Sequence, residues 1–223
     1  THTAFSPLPA CPDADYIAVS LRKWMGVASG GLAIKRKGTF GVKPIPINKE
    51  QFSLRDQALQ SRENYEHTGN EDYNKEGNDV FWKAEFMLRE IFDIQEGDEA
   101  SLKTILHYPF QDAIRKRQEN YRYLLEHLPE RSDIRPVFPY LSDDICPMFF
   151  PFFVENRDAL IKHLADRHIP PKVYWPVPPF VKVEDYPGAQ YIYSHIMSVS
   201  CDERFNTDDM QKIVEAFENY SIS

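Results

Sequence analysis

The fold open to this chain is limited most by the punctuation of residues 131–223, where short apolar runs alternate with helix-length stretches carrying their own start signals. Phe149 to Val154 is an aromatic and branched run that reads as a buried strand. Asn156 follows as a cap for a helix over Arg157–Leu164, with Pro170 and Pro171 fixing its end. Tyr191 to Val199 reads as another strand. Asn206-Thr207-Asp208-Asp209 then opens a last helix, with Met210, Ile213, Val214 and Phe217 at helical spacing. Strands alternating with helices of this length predict a small α/β or α+β domain.

Upstream, Pro109 opens a charged helix running to Leu128, with Ile114, Tyr121, Leu124, Leu125 and Leu128 on or near one face. Residues 48–108 are polar and helical in pattern, and Phe81 to Leu88 carries an amphipathic stripe. Within them, Asn70-Glu71-Asp72-Tyr73-Asn74-Lys75 reads as a candidate mobile loop. Residues 1–47 hold five of the nine glycines: Gly26, Gly30, Gly31, Gly38 and Gly41. The runs Tyr16–Val19 and Leu32–Ile34 flank those glycines and read as strands of an α/β sheet. The expected organisation is therefore α/β in three zones: 1–47, 48–108 and 109–223.

Hydrophobic residues make up 42% of the 223, enough for a packed core and too many for wholesale disorder. Lys and Arg total 26 against 34 Asp and Glu, a net charge of -8 with no basic block. Such a field repels phosphate backbones, so nucleic acid is not an expected partner. No apolar run approaches the ~20 residues that cross a bilayer, so no membrane partner is expected either. Cys11, Cys146 and Cys201 are odd in number and far apart, which reads as free thiols and a cytoplasmic location. Thr1-His2-Thr3-Ala4-Phe5-Ser6 is unlike a natural start, and the expectation is a fragment or a processed product.

Several chemistries lack their motifs. Gly26-Val27-Ala28-Ser29-Gly30 sets its serine one place too late for a nucleophile elbow. Gly31 is followed by Leu32 rather than by the Lys-Ser/Thr of a phosphate-binding loop, and G-x-G-x-x-G does not occur. His163 and His168 do not have a zinc-protease spacing. The acid pairs Asp143-Asp144 and Asp208-Asp209 are expected at helix starts, where the dipole favours negative charge.

The segment that carries chemistry runs from Asp15 to Ile34. A strand ends at Ser20, Lys23 follows within one turn, and Gly30-Gly31 leads into a second strand. That places an amine, a hydroxyl and the Arg22 guanidinium at the end of a rigid element, with glycines that admit positive φ or close approach. Read from the residues alone, Lys23 and Arg22 belong to a solvated surface loop.

The same segment resembles the cofactor-lysine region of the DegT/StrS sugar aminotransferases, which use pyridoxal 5'-phosphate on the fold-type I scaffold. The resemblance implies the C-terminal part of such an enzyme: the end of the large domain in 1–47, a connecting region in 48–108 and a small α+β domain in 109–223. It implies that Lys23 forms the Schiff base and that Ser20 contacts the cofactor phosphate, although the spacing between them is shorter than usual. Thr1-His2-Thr3 resembles the end of the family's Asp-x-x-His/Gln motif, which places His2 near the cofactor ring; an ordinary polar residue is an equally good reading. Val173-Tyr174-Trp175-Pro176-Val177-Pro178 resembles the family's His-Tyr-Pro-Pro segment, with Tyr174 and Trp175 in substrate contact. Trp24, Trp175 and Tyr174 could stack on a sugar or base, but packing is the commoner role for aromatics beside prolines. Ile196–Val199 with Asn206–Phe217 resembles the family's terminal strand and helix. Residues 48–108 lack the Asn-Tyr-Arg segment expected after the lysine strand, which marks a divergent branch.

The implied partners are an amino-acid donor and a nucleotide-linked keto-sugar acceptor, bound by a homodimer. Some relatives carry His in place of the lysine and dehydrate instead, so Lys23 argues for transamination. The competing reading is a binding or interaction module that keeps the fold without catalysis.

Overall fold

Too little chain separates the two glycine-flanked strands for a helical crossover, and they pair as a hairpin. In the computed structural model, which describes residues 13–173 and 176–221, β1 (Tyr16–Ser20) and β2 (Gly31–Lys35) are antiparallel. Their register runs from Tyr16 opposite Lys35 to Ser20 opposite Gly31. A parallel pair would need a connection of about a dozen residues or more; only Leu21 to Gly30 joins these strands. The expected mixture of helix and sheet is present, but the pairing in both sheets is antiparallel.

The chain divides into two units, one ending at Tyr108 and the other opening its main span at Pro109. In the first, β1 buries Ile17 and Val19 on one face, and the turn after it buries Leu21, Trp24, Met25, Val27 and Ala28. Two long helices follow, α1 (Lys49–Thr68) and α2 (Glu71–Leu88). Asn48 caps α1 through the Gln51 amide at 3.0 Å, and Gly69 ends it at φ +66, the left-handed conformation glycine adopts without steric cost. Asn70 immediately caps α2 through the Asp72 amide at 3.0 Å. The segment from Asn70 to Lys75, expected as a loop, is thus a cap and the first turns of a helix, with Glu71 and Asp72 facing the positive end of its dipole.

The two helices approach closely because small residues face each other. A Cβ on Gly77 of α2 would come within 3.3 Å of Cβ of Ser61 and 3.5 Å of the Ala58 carbonyl oxygen, both on α1. Helix α3 (Glu99–His107) starts at Asp98, which accepts from the Ser101 amide at 2.7 Å and from the Ser29 hydroxyl. Burial alone would raise the Asp98 carboxyl, but the hydrogen bonds from Ser101 and Ser29 outweigh it and hold the group below its ordinary range.

The second unit is built on α4 (Phe110–His127), with Pro109 at its N-cap. Its inward face is Ala113, Arg117, Asn120, Tyr121 and Leu124. A three-stranded antiparallel sheet has the order β3 (Ile134–Pro136), β4 (Phe150–Val154), β5 (Ile196–Val199). Period-two alternation on β4 puts Phe150, Phe152 and Val154 in the core. There they join Leu160 and Leu164 of α5 (Arg157–Ala165) and Met210, Ile213, Val214 and Phe217 of α7 (Thr207–Glu218). Phe152 and Phe217 meet edge to face at 5.1 Å.

Two buried polar groups tie α4 to the segment after β5. The Asn120 amide donates to the carbonyls of Cys201, Asp202 and Phe205 at 3.4, 3.1 and 3.0 Å. Arg117 pairs with Glu203 at 2.5 Å. Arg131 donates to the Tyr220 carbonyl at 2.6 Å and the Phe217 carbonyl at 3.3 Å, satisfying acceptors that the end of α7 leaves open. Asn206 forms a capping box with Asp209 at the start of α7, as the residue pattern predicts.

Three expectations are corrected here. Residues 191–195 are not strand: α6 spans Pro187–His195, with proline in its first turn, and only Ile196–Val199 enters the sheet. An apolar run of that length fits either period, and Pro187 settles it. Asp143 and Asp144 lie in a turn rather than at a helix start, and Asp143 holds Arg122 at 2.6 Å. Helix α5 ends well before Pro170. His168 takes φ +57, and the Ile169 and His168 amides bond back to the Leu164 and Ala165 carbonyls at 3.0 and 2.9 Å. That is a Schellman stop with histidine at the position glycine usually fills.

Cys146 and Cys201 are buried thiols in no disulfide; Cys11 lies outside the described residues. Among the described residues no helix is long and apolar enough to cross a membrane.

Candidate functional site

The turn after β1 sorts its side chains by burial. Ser20 ends the strand half-buried, and its hydroxyl makes no capping bond to the 3₁₀ turn Leu21–Lys23 that follows. Leu21 points inward and anchors the turn, while Lys23 is exposed and, among the described residues, has no ion-pair partner. Trp24 is 3% exposed, so it packs the unit's interior and is unavailable for stacking on a ligand. Gly30 takes φ +148, a backbone shape that calls for glycine, and a Cβ there would sit in contact with Ile105 and Val27 side-chain atoms at 3.4 Å.

His2, Tyr174 and Trp175 lie outside the described residues. Of the expected site residues, the structure therefore places only Ser20 and Lys23, one at each end of the same short turn.

Arg22 does not face solvent, as the local pattern suggested. Its guanidinium pairs with Glu85 of α2 at 3.0 Å, and Arg55 of α1 pairs with the same oxygen at 2.6 Å. Arg55 also stacks on the Phe81 ring at 4.7 Å. Burial pushes the Arg55 guanidinium below its ordinary value, Arg22 adds to that, and Glu85 opposes it. Arg22, Arg55 and Phe81 border a cleft of about 300 Å³ along α1 and α2. The sequence reading missed it entirely. The legible hint was Gly77, a glycine inside a helical pattern, which marks close helix packing; the pairing of Arg22, Arg55 and Glu85 across three elements left no trace in spacing.

Among the described residues no group of three or more His, Cys, Asp or Glu is placed to hold a metal ion.

No protein-family model matches the chain. Among curated proteins it is 25% identical over 138 residues to dTDP-3-amino-3,6-dideoxy-alpha-D-galactopyranose transaminase of Aneurinibacillus thermoaerophilus, covering 57% of this chain and 36% of that one. Solved structures similar to it include a DegT DnrJ EryC1 StrS aminotransferase from Brucella abortus, with a TM-score of 0.42, 19% identity and coverage of 53% and 33%. Another is the PLP-form of a putative sugar aminotransferase from Streptococcus pneumoniae, with a TM-score of 0.45, 17% identity and coverage of 52% and 33%. The chain spans about a third of the length of these relatives. Over rather more than half of its own residues, this chain is similar to the sugar aminotransferases of the DegT/StrS group.

Proposed function

We propose that this chain is the C-terminal portion of a pyridoxal-phosphate-dependent sugar aminotransferase of fold-type I, in which Lys23 is the cofactor-binding amine. The observation that carries this reading is the sequence match to a sugar-nucleotide transaminase over 138 residues. On it, 1–47 closes the large domain, 48–108 is a divergent connecting region and 109–223 is the small domain. The donor is an amino acid, the acceptor a nucleotide-linked keto-sugar, the assembly a homodimer and the location cytoplasmic.

The residues present fit the attachment of such a cofactor. Lys23 offers an exposed primary amine without an ion-pair partner among the described residues, and Ser20 a hydroxyl that its own turn does not use. When bound, the cofactor supplies an electron sink that stabilises negative charge on the substrate carbon. Lys23 contributes a nucleophilic nitrogen when deprotonated, and as a base it moves a proton off the donor's α-carbon. Ser20 would hold the phosphate end. Arg22, committed to Glu85, contributes no contact to this chemistry.

Borohydride trapping tests the reading. The protein is mixed with pyridoxal phosphate, reduced, digested and examined by mass spectrometry, both as this chain and with upstream sequence added. An adduct on Lys23 is expected with the longer form and weakly or not at all with this chain alone. No adduct on Lys23 in the longer form would overturn the enzyme reading in favour of a binding module that keeps the fold; tight stoichiometric labelling of this chain would overturn the fragment reading.

A further inference from the structure

The cleft along α1 and α2 is lined by three guanidinium groups: Arg22 from the turn after β1, and Arg55 and Arg62 from α1. Arg55 is the best fixed, its side chain 8% exposed and held between the Phe81 ring and Glu85. One oxygen of Glu85 serves both Arg22 and Arg55, while Glu66 lies 3.6 Å from Arg62. Three guanidinium groups are thus paired with two carboxylates, of which only Glu66 lines the cleft, and one positive charge is left over beside Arg55, a group largely removed from water. Glu71 accepts from Tyr65 and Asn74 but is exposed to water outside the lining. The remaining walls are mixed: Phe81, Tyr73 and Leu59 supply ring and aliphatic surface, and Asn74 and Asn78 supply amides.

We propose that this cleft binds a small ring-bearing carboxylate. Its carboxylate would share Arg22 and Arg55 with Glu85, and its ring would lie against Phe81 and Tyr73. Guanidinium groups match planar carboxylates with paired hydrogen bonds, and the bond gains strength where water is thin. Charge selects among anions: a monoanion neutralises the one surplus charge, whereas a phosphate dianion overshoots it and meets Glu85 and Glu66 unfavourably. The volume lies at the small end of the ~300–1,000 Å³ range of ligand sites. This inference stands apart from the transferase reading, since neither Lys23 nor its cofactor enters it.

Fluorine NMR titration of the whole 223-residue chain with para-fluorobenzoate tests it. Saturable binding is expected, with para-fluorobenzamide about tenfold weaker or worse for want of the charge-assisted bonds. Arg22→Gln should weaken the benzoate by a similar factor while leaving the amide unchanged. Glu85→Gln, which removes the competing carboxylate, should tighten it; circular dichroism checks that each variant is folded. Inorganic phosphate should displace the probe less well than unlabelled benzoate does. The proposal is overturned by equal affinity for acid and amide, by an Arg22→Gln protein that binds the acid as before, by phosphate displacing better than benzoate, or by no saturable binding to folded protein.

Discussion

Replacing Asn120 by Asp changes one amide into a carboxyl of the same shape, at a position 2% exposed and facing three backbone carbonyls. The amide has two hydrogens to share among those acceptors, and with the Arg117–Glu203 pair it joins α4 to the Cys201–Phe205 turn. Removing it altogether, as in Asn120→Ala, strands buried acceptors at a cost of about 1–3 kcal/mol. An ionised carboxylate does worse, because it adds a desolvated negative charge against three oxygen dipoles; the total is ~4 kcal/mol or more at neutral pH. The folded protein relieves this by protonating the introduced carboxyl, so the native pKa of the new group must rise above the ~3.9 it has in the unfolded chain. The sign follows. Between those two pKa values the folded state holds a proton that the unfolded state has lost, so stability falls as pH rises, by about 1.4 kcal/mol per unit. Below the unfolded value the penalty is smallest, and above the folded value it is fully present. Urea unfolding followed by circular dichroism, for wild type, Asn120→Ala and Asn120→Asp at several pH values from about 4 to 8, measures it. The aspartate variant should be the least stable of the three at the alkaline end and should recover toward the alanine variant on acidification. A penalty independent of pH, or an aspartate variant more stable than the alanine one at the alkaline end, refutes the assignment of those hydrogen bonds.

Two further outcomes are expected. His168→Gly should stabilise the protein by about 0.5–1 kcal/mol, because φ +57 costs histidine what glycine escapes; an unchanged or lowered melting temperature would count against the Schellman geometry. Burial pushes the Cys146 thiol up to about 12 and the Cys201 thiol higher still, so in a Cys11→Ser background neither should react with an aromatic disulfide reagent at about pH 8 until the chain is unfolded. Prompt reaction of either in the native protein would show that the second unit's core is more open than these contacts imply.

What was legible in the sequence was whatever is decided locally. Asn156 and Asn206 announce helices because a capping side chain acts within three residues, and the alternation of Phe150, Phe152 and Val154 announces a strand because burial there has period two. Asn70 carries the same signal, but its polar neighbours Glu71, Asp72 and Asn74 have the composition of a loop. They are polar because that turn of α2 is solvated, and the cap outweighs their composition. Residues 191–195 mislead for the opposite reason, since Tyr191-Ile192-Tyr193 suits a strand until Pro187 is weighed as a helix start. The turn carrying Ser20 and Lys23 was legible as a turn. The cleft was not: it depends on Arg22, Arg55 and Glu85 meeting from three elements, a juxtaposition that only packing creates.

The seam between α4 and α7 also sets an order of events. Asn120 reaches Phe205 across 85 positions and Arg131 reaches Tyr220 across 89, so these bonds close only after nearly all of the second unit has been synthesised. The α1–α2 hairpin, joined by Gly69 and Asn70 alone, closes on neighbours. Loop-closure entropy then makes the hairpin the fast step and the Phe217 core the slow one. During synthesis the apolar face of α4 and the inner face of β4 emerge well before Phe217 can cover them. That interval, rather than any weakness in the finished core, is when this protein is most exposed to aggregation.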